Sequence, residues 1–395
     1  MKDVVILGGA RTAMAVYNGA FAGLAETELG AIAARAALQR TGVAPSEIDH
    51  VVFGNALQTS SNAIYGARHV GLKAGVPIEV PALTVNRLCG SGLQSIVSAA
   101  QLIQLEEADT VLAGGMENMS QAPHVIRGLR RGLRLGDAKL EDMLMVALMD
   151  EYSGCDMAGT ADNLARELSI SRKEQDLYAL RSQKASADAF RSGKFKEEIV
   201  PVEVKGKKGS TMFAEDDHRR PDSTLEGLAA LPAAFSKDGF VTAGNASGIV
   251  DGGAAVVVVS AEEARSRGRR PLGRVVAWST VGVEPRVMGI GPVPAIRRVV
   301  ERAGIPLKEI DLFEINEAFA AQYLAVEKTL GLDRERVNVN GGAIALGHPL
   351  GATGTRLALT LLLELRRRKA RYGIASACIG GGQGIAMLLE SIGDK

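Results

Sequence analysis

The stretch Val85–Gln104, VNRLCGSGLQSIVSAAQLIQ, contains a strand end, a glycine-bracketed turn and a helix in immediate succession. Apolar residues from Leu93 to Ile103 recur at the 3.6-residue spacing of one buried helix face. Cys89 therefore lies at or just before a helix N-terminus, where unpaired N–H groups and the helix dipole favour an anion. A thiol there is expected to ionise readily and to act as a nucleophile. A small core residue under a helix start is the alternative, and this stretch alone leaves both open.

The composition excludes several classes of protein. A chain of 395 residues predicts two or three domains, and its 46 Lys plus Arg against 45 Asp plus Glu predict no nucleic-acid partner. No stretch approaches the ~18 apolar residues that span a bilayer, so no membrane partner is expected. Three cysteines without paired spacing argue against a disulfide framework and predict a reducing compartment, the cytoplasm.

Two parts of the chain repeat one order of elements. A helix ending at Gly42 leads to a turn and a strand that closes on Asn55, and a helix ending at Gly304 leads to the same units, closing on Asn316. Two further pairs of segments correspond. The first pair is VNRLCGSG and VNVNGGAIALGHPLGATG, the latter before the helix Leu357–Leu365, and the second pair is ADTVLAGGMEN and ARYGIASACIGGGQG. Matched units in the same order predict an internal duplication, with two βα-rich halves facing each other across a pseudo-twofold axis.

The chain between the halves has a different character. From Met119 to Gly248 it is richer in charge and turn residues, and it contains a helix over Ser171–Arg191 with a serine cap. We interpret this part as an inserted lid. Buried strand character returns at Gly248–Ser260 and completes the first half. The expected domains are residues 1–118 with 249–271, the insertion 119–248, and the second half 272–395.

Three further residues that follow predicted strands have side chains suited to chemistry. His348, in GHPLG, occupies the duplicated position whose twin carries Cys89. Cys378 precedes consecutive glycines, whose N–H groups can form an anion-stabilising nest. Asn316 ends a strand and opens a helix. The structural alternatives are a loop histidine bonded to a carbonyl, a strand end packed on a helix, and a plain N-cap.

Ligands of α/β folds bind at the carboxyl ends of strands, and a pseudo-twofold axis brings both sets of strand ends together. The four side chains are therefore predicted to share one cleft. Cys89 can hold an acyl group with His348 as its activator, and Cys378 can move a proton alpha to a carbonyl. His348 with a water fixed by Asn316 can form one oxyanion hole, and backbone N–H groups at Cys89 and Gly380 another. No pair has metal-ligand spacing, and no Walker loop or Rossmann fingerprint is present, so neither a metal nor a nucleotide cofactor is predicted.

At these motifs the whole chain resembles the thiolase family. NRLCGSGLQS, NEAFAAQ, GGAIALGHPLGATG, CIGGGQG and TAGNASGIVDGGAA resemble its signatures in the right order. The GSG after Cys89 and the NEAF block are similar to acetoacetyl-CoA (biosynthetic-type) thiolases and to broad-specificity bacterial β-ketothiolases. The resemblance implies an α/β fold with two duplicated halves in α-β-α-β-α layers and an inserted lid, assembled as a homodimer or homotetramer.

The resemblance also implies an activity, the reversible condensation of acetyl-CoA with a second acyl-CoA by a ping-pong route. Cys89 would be acylated while His348 takes its proton, Cys378 would abstract the alpha proton or protonate the departing acetyl-CoA, and Asn316 would hold a water. Acyl-CoA and CoA would be substrates, with no cofactor. The residues implied to bind coenzyme A are Met157, Arg220, Phe235, Ala243, Ser247, Met288, Ala318 and Phe319.

Two departures from the family pattern leave the acyl preference and the physiological direction open. Asp156 stands where many acetoacetyl-CoA members have a histidine, and Gly227 replaces a frequent serine. Cys155 is taken as structural. The alternative functions are a thiolase that degrades longer, branched or dicarboxylic chains, a decarboxylating ketosynthase, and a non-catalytic acyl-CoA-binding relative. Cys378 before GGGQG argues against the ketosynthase, and the two thiols with His348 argue against a non-catalytic protein.

Overall fold

The computed structural model describes residues 2–206 and 209–392. The strands, numbered along the chain, are β1 Val4–Thr12, β2 Ala15–Val16, β3 His50–Gly54, β4 Ala82–Val85, β5 Thr110–Glu117, β6 His124–Ile126, β7 Leu140–Asp142, β8 Met149–Asp150, β9 Cys155–Asp156, β10 Ile199–Val200, β11 Val202–Gly206, β12 Gly209–Phe213, β13 Val250–Ser260, β14 Gly273–Gly282, β15 Leu312–Ile315, β16 Tyr372–Ile379 and β17 Gln383–Ser391. The α-helices are α1 Glu26–Thr41, α2 Gly66–Lys73, α3 Ser91–Gln104, α4 Met143–Ala147, α5 Met157–Glu167, α6 Arg172–Arg191, α7 Leu225–Ala229, α8 Ala261–Ser266, α9 Pro292–Ala303, α10 Ala320–Leu330, α11 Ala343–Leu346 and α12 Leu350–Arg368.

The main sheet contains the same strand order twice. One half runs β4-β3-β5-β13-β1, with β3 parallel to β4 and β5 and with β13 antiparallel to β5 and β1. The other half runs β15-β16-β17-β14, with β15 parallel to β16 and with β17 antiparallel to β16 and β14. Where the first half has β4, the second has a parallel bridge from Phe313 to Val337. A short pairing of β1 with β14 joins the halves.

Hydrogen bonds at equivalent positions confirm the predicted duplication. The carboxylate of Asp49 accepts two backbone N–H groups at the start of β5, and that of Asp311 accepts two at the start of β16, all at 2.9 Å. Both α1 and α9 end at a glycine with φ 64°, Gly42 and Gly304, as the sequence predicts for left-handed C-caps. The two halves therefore share their turn chemistry as well as their strand order.

Five layers result from burial of these elements. α1 and α2 pack on the outer face of the first half, and α9 and α10 on the outer face of the second. α3 and α12 lie between the halves and contribute to one core with both. The predicted α-β-α-β-α arrangement is confirmed. The insertion contributes the short pairs β6–β7, β8–β9 and β11–β12, and its α5 and α6 pack against α10.

Predicted element ends differ from the observed ones where glycines conceal a helix. α12 begins at Leu350 rather than Leu357, because the low helix propensity of Gly351 and Gly354 is outweighed by tight packing against neighbouring backbone. The capping box at Ser171 is confirmed, since its hydroxyl accepts the Glu174 N–H. Over the described ranges, no helix is both long enough and apolar enough to cross a membrane.

Candidate active site

Cys89 lies in a single 3₁₀ turn, Leu88–Gly90, that runs directly into α3. Leu88 has φ 46°, in the left-handed region that non-glycine residues rarely adopt, at a cost of roughly 1–3 kcal/mol. The Ser91 hydroxyl stabilises this turn, because it donates to the Leu88 carbonyl at 2.8 Å and accepts the Arg87 N–H at 2.8 Å. The strained backbone at the thiol is therefore fixed by the residues around it.

The backbone N–H groups of Gly380 and of Cys89 itself act on the Cys89 sulfur to lower its pKa. Burial nevertheless raises the pKa of Cys89 to about 11. The expectation of a readily ionised thiol is therefore wrong, because loss of solvent outweighs the helix start and the two N–H groups. At neutral pH the thiol keeps its proton and needs a base to become a nucleophile.

Cys378, near the end of β16, is fully buried beside this sulfur. Burial raises its pKa, and the nearby charge of an ionised Cys89 raises it further. The segments that carry the two thiols are in contact, since a Cβ at Gly90 would lie 2.6 Å from the Ile379 side chain. The two thiols, far apart in sequence, lie close together as predicted.

His348 lies on the short connection between α11 and α12, with its ring buried. Nδ1 is 2.6 Å from Thr353 Oγ1, and that hydroxyl donates to the Pro349 carbonyl at 3.0 Å. Nδ1 must therefore carry the ring proton, because the hydroxyl has no second hydrogen to donate. Nε2, 3.3 Å from the Asn316 amide nitrogen, is left with its lone pair. This is the tautomer that can accept a proton.

Burial, together with a smaller effect of the positive charge of Arg356, lowers the pKa of His348 to about 3. Arg356 is itself buried and is paired with Glu314 at 3.1 Å. The imidazole is therefore neutral throughout the neutral pH range and is available as a general base.

The pKa of His348 predicts a pH dependence of stability. A histidine ionises at pH ~6.5 in the unfolded chain but at about 3 in the fold, so between these values the unfolded state binds more protons. The contribution of His348 to stability is complete above pH ~6.5 and falls with decreasing pH, by up to about 1.4 kcal/mol per pH unit. His348→Asn is expected to show a shallower loss of unfolding free energy between pH 6.5 and 4 in urea titrations. The control is His124→Asn, at an exposed site. If the unfolding free energy of His348→Asn depends on pH as steeply as that of wild type and of the control, the prediction is wrong.

Asn316 is not the N-cap that its sequence context allowed. α10 begins at Ala320, and its N-cap position is Phe319. The Asn316 amide nitrogen instead faces His348, and its Oδ1 is buried without a hydrogen-bond partner in the described part of the chain. An unpaired buried oxygen is costly, so this amide fits a site completed by a water or a substrate.

The residues implied to bind coenzyme A fall into two groups. Met288 and Ala318 pack with Cys378, with Met157 and Phe319 alongside. Further out, a cavity of about 800 Å³ is lined by Arg220, Ala243, Gly227 and neighbours from the insertion. The Ser247 N–H donates to the Ala318 carbonyl at 3.0 Å and links the two groups. Phe235 belongs to neither group and is 49% exposed.

The two departures from the family pattern lie at helix starts. Asp156 accepts the Gly159 N–H at 2.6 Å and so caps α5, which begins with Met157. At Gly227 a Cβ would meet only the Thr224 hydroxyl within 4 Å, at 3.3 Å, so the space of the missing serine opens on the outer cavity. One carboxylate oxygen of Asp156 is therefore used to cap the helix that it precedes.

Sequence reasoning missed three buried residues that set up this site: Thr353, Arg356 and Glu117. Thr353 and Arg356 lie on the first turns of α12, whose start was predicted too late. Glu117 is the last residue of the apolar strand β5. An acidic residue at the end of such a strand was the feature of the sequence that could have indicated its role.

Comparison with known proteins assigns this geometry to a family. Sequence models of the thiolase N-terminal domain and the thiolase C-terminal domain match residues 4–262 and 269–391. The chain belongs to the thiolase family. It is therefore an acyltransferase whose substrates are acyl-CoA and CoA, and thiolases need no cofactor.

Several relatives of this thiolase match over nearly their full length. The human mitochondrial 3-ketoacyl-CoA thiolase is 52% identical over 99% of both chains. The beta-ketothiolase BktB and an acetyl-CoA acetyltransferase, both of Cupriavidus necator, are 48% and 49% identical over 99% of this chain and 100% of theirs. Crystal structures of the human enzyme, alone and in complex with CoA, superpose with TM-scores of 0.98 and 0.96, at 52% and 51% identity, covering 99% of this chain and 99% and 98% of theirs.

Proposed function

We propose that this thiolase makes and cleaves 3-ketoacyl-CoA through an acyl-Cys89 intermediate. In the first half-reaction Nε2 of His348 takes the Cys89 proton, and the sulfur attacks the thioester carbonyl. The backbone N–H groups of Cys89 and Gly380, which act on this sulfur to lower its pKa, stabilise the oxyanion. Cys378 gives its proton to the departing CoA sulfur, which leaves an imidazolium and a thiolate in the site.

In the second half-reaction the Cys378 thiolate takes a proton from the alpha carbon of acetyl-CoA. The enolate oxygen is held by Nε2–H of His348 and by a water on Asn316, and the carbanion attacks the acyl carbonyl on Cys89. Cys89 leaves and recovers its proton from His348. Burial, which raises the pKa of Cys378, makes its thiolate a strong base for this step. The observation that carries the proposal is that His348 has the lone pair of Nε2 free to accept a proton, while the Cys89 sulfur is influenced by the N–H groups of Gly380 and Cys89 and lies near enough to Cys378 to affect its pKa.

We propose a substrate range that includes both acetyl and longer acyl chains. The wall beside Cys378 is formed by apolar side chains, Met288, Ala318, Met157 and Phe319, which accept methylene groups better than charged ends. Similar identities to an acetyl-CoA acetyltransferase and to 3-ketoacyl-CoA thiolases fit this range. The second candidate is a mainly degradative role, supported by the 52% identity to the 3-ketoacyl-CoA thiolase.

A thiolysis series with free CoA tests the proposed function. Acetoacetyl-CoA and longer straight-chain 3-ketoacyl-CoAs are expected to be cleaved, and a substrate with a terminal carboxylate is expected to have a kcat/KM at least about 10-fold lower, because burial of an unpaired charge is costly. A branched substrate measures the width of the pocket. No cleavage of any of them by the wild-type protein would overturn the function. Preference for the dicarboxylic substrate would overturn the proposed range.

We propose that residues 119–248 form the CoA-binding lid on the two halves, which are residues 1–118 with 249–271 and residues 272–395.

We propose that the protein is a homodimer or homotetramer. The edge strand β4 favours self-association, because an edge strand has unpaired backbone groups and Leu83 on it is 47% exposed. Nearby Ile64 and Ile78 are 71% and 72% exposed. Light scattering should give two or four chains per particle, and a monomer would contradict this.

We propose the cytoplasm as the compartment. Cys89 and Cys378 must both be reduced for the chemistry above, and each is a free thiol, which fits a reducing compartment. Fractionation of the source cells tests this, and recovery of the protein in another fraction would contradict it.

A further inference from the structure

The connection that carries His348 is held at both ends by buried carboxylates. Before it, the N–H of Ile344, the second residue of α11, donates to Glu317 Oε2 at 3.1 Å. After it, the N–H of Gly351, the second residue of α12, donates to Glu117 Oε2 at 2.8 Å. N–H groups in a first helical turn have no partner within their own helix. Each carboxylate therefore fixes one end of the connection, Glu117 to the first half of the molecule and Glu317 to the second.

Glu117 comes from the first half of the molecule and is fully buried at the end of β5. Besides Gly351, it accepts the N–H groups of Ala56 and Leu57 at 3.0 and 2.9 Å and the Asn55 amide at 2.8 Å. Burial raises the pKa of Glu117 to about 8, and its backbone N–H donors oppose that rise. Four donors on two oxygens leave no acceptor for a carboxyl proton, so the geometry is that of the ionised form.

Glu317 comes from the second half and is equally buried, next to Asn316 in sequence. It accepts the Tyr178 hydroxyl at 2.6 Å, the Ser182 hydroxyl at 2.7 Å and the Asn338 amide at 3.0 Å. Ser182 also accepts the Gly342 N–H at 3.1 Å. The inserted helix α6, which carries Tyr178 and Ser182, is thereby connected to the His348 segment.

Neither end of the segment has space to move. A Cβ at Gly342 would lie 2.3 Å from the Glu317 carboxyl carbon, and one at Gly351 would lie 2.6 Å from the Met116 carbonyl oxygen. Charge-assisted hydrogen bonds are roughly twice as strong as neutral ones, and no solvent reaches these carboxylates to replace them. Proton transfer from Cys89 to Nε2 depends on placement within a fraction of an ångström.

We propose that Glu117 and Glu317 are positioning residues for the reaction, which bracket the His348 segment and keep Nε2 aimed at Asn316 and Cys89. The proposal rests on the proposed function, since it assigns His348 the role of base. Neither carboxylate touches the reacting atoms. Both act on catalysis through the position of His348, and the negative charge of Glu117 in addition raises the pKa of Cys89.

Single-atom changes on α6 test the bracket with little risk to folding. Ser182→Ala removes the hydroxyl that joins Glu317 to the segment, and Tyr178→Phe removes the other hydroxyl on Glu317. Ser186→Ala is the matched control, because its buried hydroxyl lies one turn further along α6 and has no partner within residues 2–206 and 209–392. We expect kcat to fall about 10-fold in Ser182→Ala and Tyr178→Phe, with the KM for CoA within 2-fold of wild type.

Glu117→Gln makes the same test from the other half. An amide places an NH₂ group against N–H donors, so about a 100-fold loss in kcat is expected. Glu26→Gln is its control, because Glu26 is also fully buried but accepts only the hydroxyls of Thr59 and Ser60, which can rotate. Ser182→Ala decides the question if Glu117→Gln does not fold.

A double-mutant cycle separates positioning from a general structural role. In a His348→Ala background, Ser182→Ala and Glu117→Gln are expected to cause no further loss of kcat, because the group through which they act is gone. An equal loss in both backgrounds, or no loss in wild type, would overturn the proposal. Peptide-resolved alkylation of Cys89 by iodoacetamide follows the same cycle without turnover. If the wild-type protein has no thiolase activity but the rate of Cys89 alkylation still depends on His348 and Ser182, the proposed function is rejected. The positioning of His348 by Glu117 and Glu317 is then supported independently.

Discussion

Cys378→Ala is expected to lose carbon–carbon bond formation and cleavage by about 10³-fold or more while Cys89 can still be acylated. The alpha proton of acetyl-CoA then has no base within reach, and general acid–base groups typically contribute 10²–10⁴-fold. Acylation should slow but persist, because His348 and the N–H groups of Cys89 and Gly380 remain in place. Mass spectrometry of the Cys89 peptide after incubation with acetyl-CoA measures the adduct, and a coupled assay measures thiolysis.

Cys155→Ala is the matched control for that experiment. Cys155 is a half-buried free thiol on the insertion, and its sulfur lies 3.8 Å from the Asn163 amide. It should keep both acylation and turnover. Full turnover in Cys378→Ala would remove the assigned role of Cys378 and favour a mechanism of the ketosynthase type, which does not need a second thiol.

Gly92→Ala or Gly354→Ala is expected to destabilise the fold by about 3 kcal/mol or more, beyond the usual effect of a point mutation. α3 and α12 meet backbone to backbone between the halves. A Cβ at Gly92 would lie 2.4 Å from the Thr355 nitrogen, and one at Gly354 would lie 2.2 Å from the Leu93 nitrogen. Backbone cannot rotate away as a side chain can, so the helices must separate and the central core opens. Denaturant unfolding measures the loss.

The double variant provides a second check on that contact. Because both substitutions separate the same pair of helices, the double variant should lose less than the sum of the single losses. Gly23→Ala is the control, since a Cβ there would meet no atom within 4 Å. A loss below about 1 kcal/mol in both single variants would show that the helices can move apart without opening the core.

The duplication and a set of candidate site residues could be predicted from the sequence, and the resemblance to thiolases implied the layer order. The duplication rests on local patterns that occur twice, such as the glycine C-caps and the aspartates Asp49 and Asp311, which directly precede equivalent strands. Placing Cys89 and Cys378 at strand ends needed only the topology rule for α/β folds. The expectation that His348 follows a strand is wrong, because the short helix α11 precedes it. The resemblance to thiolases drew on the same motifs, and the family matches confirmed it.

Predictions from the sequence were wrong where the outcome depends on burial or on tertiary packing. Cys89 was expected to ionise readily because it precedes a helix, but burial reverses that effect and raises its pKa to about 11. Asn316 was compatible with an N-cap, but helix α10 starts later and frees its amide for His348. The first turns of α12 were hidden by glycines that are required for contact with α3.

The sequence by itself therefore determined the duplication, the candidate residues of the site and the order in which the chain presents them, because spacing, capping and repetition are local properties. Only the tertiary structure decided the protonation state of Cys89, the tautomer of His348 and the bracket of Glu117 and Glu317. These depend on the removal of water and on the side-chain geometry of the folded protein, including the contact of Glu117 with Gly351, 234 residues away, and the spacing of residues along the chain records neither.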